Sequence, residues 1–200
     1  MRTSLLLLPT LMGCGQAAYT YSGYWASDHF PLTPSTAEFM NEGDDFDFSM
    51  EVSVGEVETS GGTKVATFNY MNKNDDNSLL YKIKWSSDNT DGIQVHGYYL
   101  DDGWVNFSSP VLIVARQGEP NTTMTSDVDG SSYTATFEAY EDCPNRWNEN
   151  WECMKVVISS DEDNPAPFLG TWHWATEYGT SRFQPVGTDY PWILEAHDWD

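Results

Sequence analysis

A two-residue alternation of apolar and polar side chains limits the fold of this chain more than any other feature. The segment 46–54, FDFSMEVSV, places its apolar residues on one face of an extended strand. The segment 63–71, TKVATFNYM, repeats the alternation after the turn-forming residues SGG, so the two segments predict a β-hairpin. Apolar residues at helical spacing are weakly represented along the chain. The pattern therefore predicts an all-β protein.

Further strand-like runs follow along the chain, separated by turns rich in Gly, Asn and Asp. They begin near Leu79, Ile93, Gly103, Pro110, Ser131, Cys153 and Phe168. Roughly eight to ten short antiparallel strands are typical of a β-sandwich, which is the predicted architecture, with a closed β-barrel as the alternative. The run that begins at Pro110, PVLIVARQ, is almost continuously apolar, which predicts a central strand buried on both faces.

Two short motifs bear on the barrel alternative. The residues GYW at 23–25 and GTW at 170–172 resemble the Gly-x-Trp motif in the opening strand of lipocalin-like proteins. That resemblance implies an antiparallel β-barrel.

The chain is strongly acidic. Its 200 residues carry 31 acidic and 9 basic side chains, which gives a formal net charge of −22. Binding to a phosphate backbone requires a basic stripe, so this composition argues against a nucleic-acid partner. The acids are scattered along the chain, which is typical of a strongly solvated surface. Divalent-cation binding is the alternative explanation.

The N-terminal segment 5–15, LLLLPTLMGCG, follows a single positive charge at Arg2. Its apolar run is too short for a membrane-spanning helix, which needs about 20 residues. It matches the apolar region of a secretory signal. The sequence therefore predicts a signal peptide over residues 1–13.

The residues LMGC at 11–14 resemble the lipobox of bacterial lipoproteins. The resemblance implies cleavage before Cys14 and attachment of a diacylglycerol, with palmitate-like acyl chains, to its sulfur. Two or more acyl chains hold a protein firmly at a membrane, so the implied location is the cell envelope, on the outer membrane. Residues 14–45 would then form a lipidated tether and an early edge strand, and residues 46–200 a single β domain. Ordinary signal-peptidase cleavage after Ala17, which would remove Cys14, is the alternative.

Two further cysteines, Cys143 and Cys153, flank the turn-forming segment PNRWNENWE. In an oxidising compartment an even pair at this spacing predicts a disulfide that closes a loop between two strands. The alternatives are two free thiols or a metal-binding pair, although the separation is not the CxxC spacing that metal sites favour.

The loop between these cysteines contains the best candidates for recognition. Arg146, Trp147 and Trp151 lie among Asn and Glu residues, and exposed indole rings would offer flat faces to a sugar or an anchor to a protein partner. The alternative is that the rings fold back and cover the core. Trp172 and Trp174 are two residues apart, so a strand would point both to one face, where core packing is expected.

Several turns collect the oxygen ligands that calcium prefers, although none forms a complete EF-hand loop. The candidate ligands are Asp88, Asp91, Asp127 and Asp129. The same residue types are favoured in tight turns for backbone reasons alone. No cofactor is therefore predicted, and calcium is the one ion that the sequence suggests.

The sequence contains none of the common nucleophile, Walker, zinc-protease or dinucleotide motifs, so it does not predict an enzyme. Glu138 and Glu141 illustrate the carboxylate pair that a glycan hydrolase would need, which is the least favoured interpretation. The favoured function is an envelope-tethered module that binds a glycan or a protein partner through the aromatic, disulfide-closed loop. The alternative is a structural or accessory envelope lipoprotein without a defined ligand.

Overall fold

A computed structural model describes residues 26–30, 32, 34–43, 49–60, 62–101, 103–143, 151–161 and 166–198. Apart from a 3₁₀ turn at Ala26–Asp28, the regular structure of these residues consists of β-strands. The strands are β1 Ser35–Asn41, β2 Ser49–Ser60, β3 Thr63–Asn72, β4 Ser78–Asp88, β5 Gly92–Leu100, β6 Gly103–Val114, β7 Thr122–Val128, β8 Ser131–Asp142, β9 Glu152–Ser160, β10 Gly170–Ala175, β11 Gly179–Pro185 and β12 Trp192–Asp198. No helix in these ranges has the length and apolarity needed to cross a membrane.

The twelve strands form one antiparallel sheet in which each strand pairs with its neighbours along the chain, except between β6 and β7. The first and last strands also pair, because β1 lies between β2 and β12. The sheet therefore curls into a nearly closed barrel, with β6 and β7 at its two free ends. The prediction of an antiparallel all-β fold is confirmed, and the architecture is the barrel alternative rather than the two sheets of a sandwich.

The seam between β6 and β7 is bridged by side chains. The backbone N–H of Leu112 donates a hydrogen bond to Ser126 Oγ at 3.1 Å, and the N–H of Ser108 donates to Asp129 Oδ2 at 3.0 Å. Each bond satisfies a backbone donor on the free edge of β6, where no ladder partner stands. These contacts hold the barrel ends together where the backbone ladder is interrupted.

The predicted hairpins are confirmed. Strands β2 and β3 pair on either side of the predicted turn, and β8 and β9 pair on either side of the cysteine loop. Met50 and Val52 are buried, as the alternation in β2 requires. Phe46 and Phe48, which continue that alternation in the sequence, lie outside the described residues.

Two expectations about individual strands are wrong. The segments that begin at Gly103 and Pro110 are parts of one strand, β6, which ends the sheet instead of lying at its centre. Val111, Ile113 and Val114 are buried there because they belong to the core cluster of the barrel. An apolar run signals burial, and burial at a seam produces the same signal as burial in the middle of a sheet.

The number and placement of strands also differ from expectation. Within the described residues the sheet has twelve strands, more than the eight to ten expected, because the pattern missed β7, β11 and β12. The early strand expected at an edge is β1, and it pairs on both sides because the last described strand, β12, lies beside it.

Aromatic side chains from opposite walls fill the barrel interior. Trp85 on β4 and Trp172 on β10 have ring centroids 5.7 Å apart, although these strands lie on opposite sides of the ring of strands. Phe30 packs between Trp85 and Trp174 with a centroid distance of 5.1 Å to each. The two walls therefore meet much as the sheets of a sandwich do. Trp172 and Trp174 are fully buried, which confirms their predicted place in the core.

This packing leaves an apolar cavity of about 40 Å³ beside Phe39, Tyr70 and Phe183. Pockets that enclose cofactor-sized ligands measure roughly 300–1,000 Å³. The outer faces of the sheet offer larger surfaces for recognition.

Candidate functional site

The cysteine loop is closed as predicted. Cys143 and Cys153 form a disulfide, and the N–H of Cys143 donates to the carbonyl oxygen of Trp151 at 2.8 Å. The bridge therefore joins the facing ends of β8 and β9. Arg146 and Trp147, two of the predicted ligand-binding residues, lie outside the described residues, as does the predicted lipidation site Cys14.

Trp151, the third predicted binding residue, is half-buried at the base of this loop. Its ring stacks on Tyr178 with centroids 4.5 Å apart and planes inclined by 8°. It also packs against the small cluster formed by the disulfide and Ala175. One face of this indole is therefore covered by the protein, and its role in ligand binding stays a prediction.

The candidate calcium ligands take part in turn and seam contacts. Asp88 Oδ1 accepts the N–H groups of Thr90 and Asp91, both at 2.7 Å, as in an Asx turn. Asp129 accepts the N–H of Ser108 across the seam, and the hydrogen bonds with Ser108 lower the pKa of the Asp129 carboxyl. Within the described ranges, no three His, Cys, Asp or Glu side chains are grouped closely enough to hold a metal ion.

Asp127, the remaining candidate, is exposed on β7. Calcium binding by these turns stays the alternative interpretation of the sequence.

The outer surface of β4, β5 and β6 carries a group of side chains that the sequence prediction did not identify as a site. We call this group the aromatic platform. It consists of Lys82, Lys84, Tyr99, Trp104 and Asn106, which on β4 and β5 alternate with the buried residues Ile83 and Tyr98.

The register of the sheet places the platform residues side by side. Lys82 lies opposite Tyr99, which lies opposite Trp104 on the next strand. Two residues along β4, Lys84 lies opposite Gly97, which lies opposite Asn106. The five side chains thus occupy two adjacent cross-strand rows on one face.

The two lysines lie over the two rings. Lys84 Nζ is 4.2 Å from the centroid of the Trp104 ring and donates a hydrogen bond to Asn106 Oδ1 at 3.1 Å. Lys82 Nζ is 5.8 Å from the Tyr99 centroid, and the Tyr99 and Trp104 rings meet edge to face at 5.7 Å. Trp104 remains 39% exposed, which makes it one of the most exposed large apolar residues in the described chain.

Gly97 forms the floor of the platform between Lys84 and Asn106. A Cβ at this position would lie 2.4 Å from the carbonyl oxygen of Val105, and the residue has a φ of +156°. The backbones of β5 and β6 therefore approach too closely for a side chain here. Because Gly97 has no side chain, the side chain of Lys84 can extend over this position to Asn106.

The platform lysines differ from Lys73, Lys155 and Arg182 in their charge environment. Neither Lys82 nor Lys84 has a carboxylate of the described residues within 4.0 Å. In contrast, Lys73 pairs with Glu38 and lies 4.0 Å from Glu51. Lys82 and Lys84 thus keep their positive charges without a carboxylate of the described residues beside them, in a chain with 31 acidic residues.

A second polar surface lies on the outer face of β8 to β11. Lys155, His173 and Arg182 stand side by side in the register of three neighbouring strands, and we call them the charge row. Each has its own carboxylate at 2.8 Å, from Glu138, Glu141 and Glu42 respectively.

The charge row borders an open groove of about 410 Å³. Glu138 and Glu141, the carboxylates considered for hydrolysis, both line it and both engage a basic neighbour. Burial lowers the pKa of the His173 imidazole, and the positive charges of Arg182 and Lys155 act in the same direction. Glu141 opposes this shift, but burial has the larger effect, so the net shift of the pKa is downward.

The sequence contains a signal for the platform that the prediction did not use. Lys82 and Lys84 alternate with apolar residues in LLYKIKW, so both must face outward if Ile83 and Trp85 face the core. Trp104 follows a turn in GWVNFS, in a strand rich in polar residues. What joins them is the pairing of three strands, which no local pattern specifies.

No protein-family model, curated protein or solved structure matches this chain.

Proposed function

We propose that the protein is a glycan-binding module and that the aromatic platform is its binding surface. The observation that supports this most directly is an exposed indole, Trp104, held edge to face against Tyr99 beside an amide and two ammonium groups. Sugar rings have an apolar C–H face and a polar rim of hydroxyl groups. The platform offers a complementary surface for both.

The chemistry of each group supports this assignment. The indole of Trp104 presents a rigid apolar face that loses little side-chain entropy when it is covered. Asn106 can both donate and accept hydrogen bonds, as sugar hydroxyl groups also do. The strands of the sheet hold these groups more rigidly than a loop would, so binding orders few side chains.

The disulfide-closed loop favoured by the sequence is the competing location for the same function. Trp151 is partly buried with one face covered by Tyr178, whereas Trp104 is 39% exposed even with Lys84 over its ring. This difference in exposure is why the proposal places the ligand on the platform.

The test is retardation of the full-length protein in native gels that contain a soluble polysaccharide, with hydroxyethylcellulose, xylan and polygalacturonate as the probes. We expect at least one probe to retard the wild type. Trp104→Ala should weaken this retardation by about tenfold or more in affinity, while Trp104→Phe retains much of it. Trp151→Ala is the matched control and should bind as the wild type does.

Two results would contradict the proposal. Loss of retardation in Trp151→Ala with retention in Trp104→Ala would move the site to the cysteine loop. No retardation by any probe would favour a structural or accessory protein without a glycan ligand. Thermal unfolding of each variant shows whether a loss of binding reflects a loss of folding.

We further propose that a lipid on Cys14 tethers this module to the cell envelope, on the outer membrane. The support is the signal-like segment and the lipobox resemblance at residues 11–14. Metabolic labelling with palmitate should label the wild type and not a Cys14→Ser variant. Equal labelling, or none in either protein, would contradict the tether.

A further inference from the structure

We propose that the glycan recognised by the platform is an acidic polysaccharide, whose sugar rings carry oxyanion groups. This inference rests on the proposed function, and it concerns the role of Lys82 and Lys84. Trp104 and Asn106 suffice for a neutral sugar. The two lysines need a separate explanation.

The first reason is charge complementarity. Lys155, His173 and Arg182 of the charge row each have a carboxylate at 2.8 Å, whereas no carboxylate of the described residues lies within 4.0 Å of Lys82 or Lys84. In a protein of net charge −22, a carboxylate partner is readily available to a surface lysine. A pair of lysines left without one provides two positive charges for groups that the protein itself does not supply.

The second reason is the number of hydrogen-bond donors. An ammonium group has three N–H donors and no acceptor. Lys84 uses one donor on Asn106 Oδ1, which leaves two directed elsewhere while the ring of Trp104 holds the side chain in place. Among the platform contacts described, Lys82 lies over Tyr99 and makes no hydrogen bond. Donors to charged acceptors form the stronger class of hydrogen bond, so oxyanions are the best-matched ligands.

The third reason is spacing. Lys82 and Lys84 are two residues apart on one face of β4, so their Cα atoms lie about 6.5–7 Å apart along the strand. Both stand beside the Tyr99 and Trp104 rings in the two rows of the platform. A chain of charged sugars lying along this face would meet a ring and an ammonium group together.

A single-stranded nucleic acid also combines stacking rings with negative charge. Its closely spaced phosphates require a longer basic track than two lysines provide. The protein carries 31 acidic residues against 9 basic ones, which repels a densely charged polymer more strongly than a sparsely charged one. The acidic polysaccharide is therefore the favoured occupant, and an oligonucleotide serves as a comparison in the test.

The test compares polygalacturonate with its fully methyl-esterified form, using calorimetry on the full-length protein at fixed ionic strength. The two polymers share a backbone and differ in whether each sugar carries a charged carboxylate or a neutral methyl ester. We expect the acid form to bind roughly tenfold or more tightly than the ester. The double variant Lys82→Gln with Lys84→Gln should remove that preference while retaining weak binding to the ester.

The matched control is Lys155→Gln in the charge row, which removes one charge elsewhere and should leave the preference unchanged. Equal affinity for acid and ester, with binding still dependent on Trp104, would overturn this inference alone. Failure of both polymers and of the neutral probes to bind would overturn the proposed function instead. Tighter binding of a sulfated polysaccharide than of polygalacturonate would identify sulfate as the oxyanion. Tighter binding of single-stranded DNA than of either polysaccharide would overturn the polysaccharide assignment.

Discussion

The aromatic platform and the charge row are two outer faces of the same barrel, and both are built by cross-strand register. In the charge row each basic group contacts its own carboxylate at 2.8 Å. In the platform the ammonium groups lie over aromatic rings, and Lys84 donates to an amide oxygen. The residues on neighbouring strands therefore decide whether a basic side chain on a sheet surface is paired with a carboxylate of the protein or remains available to a ligand.

The energetic difference between the two surfaces is small in the isolated protein. Exposed ion pairs contribute about 0–1 kcal/mol each, and exposed cation–π contacts contribute about 0.5–1 kcal/mol. Both are small beside the burial of rings such as Trp85 and Trp172 in the interior, where removal of one ring costs about 3–5 kcal/mol. The two surfaces should therefore differ in what they bind rather than in how much they stabilise the fold.

The largest effect is expected from breaking the floor of the platform. Gly97→Ala places a Cβ 2.4 Å from the carbonyl oxygen of Val105, a backbone atom that cannot rotate away. We expect the free energy of unfolding in urea to fall by about 1–3 kcal/mol. Gly103→Ala is the control, since its φ is +117° but nothing lies within 4 Å of the added carbon. Equal losses in the two variants would show that the close approach of β5 and β6 does not constrain the platform.

A smaller effect is expected from the titration of His173 in the charge row. Burial lowers the pKa of this imidazole in the folded state. The positive charges of Arg182 and Lys155 lower the pKa further, and Glu141 raises it by a smaller amount than burial lowers it. As the pH falls below about 6.5, the unfolded chain binds the proton more readily, so the free energy of unfolding decreases. His173→Gln should reduce that decrease between pH 7.5 and pH 5, as measured by urea unfolding. An unchanged slope in the variant relative to the wild type would contradict this account.

The smallest effect should come from the individual surface pairs. A double-mutant cycle on Lys155 and Glu138, measured by urea unfolding, should give a coupling energy of about 0–1 kcal/mol, because both side chains are partly exposed. The same cycle on Lys84 and Trp104 should give a value of similar size. A coupling energy well above this range in either cycle would mean that the pair contributes substantially to the stability of the fold. The two surfaces would then differ in stability and not only in what they bind.

The sequence predicted those parts of the fold that depend on local pattern. Alternation gave the hairpins on either side of the SGG turn and the cysteine loop, and the spacing of Cys143 and Cys153 gave the disulfide. The closure of the barrel through β1 and β12 was not predictable in this way, because it joins opposite ends of the chain. Strand β7 was missed because its residues are mostly polar at the free end of the sheet, so it shows little alternation.

The platform escaped prediction for a related reason. Its rows depend on irregular pairing at two places, between Lys84 and Trp85 and between Val95 and Gly97. A shift of one residue in register moves a side chain to the other face of a sheet. The strands could therefore be recognised from the sequence, but the neighbours of Lys84 and Trp104 could not.

Chemical-shift mapping by NMR tests most directly whether the aromatic platform is the binding surface. The ¹⁵N-labelled protein is titrated with an oligogalacturonate. The account predicts that the perturbed resonances cluster on the outer face of β4 to β6, with the indole N–H of Trp104 among the largest shifts. The charge row around His173 should remain unperturbed at the same ligand concentration. Shifts centred on the charge row, or on Trp151 and the cysteine loop, would contradict the assignment of the platform as the binding surface.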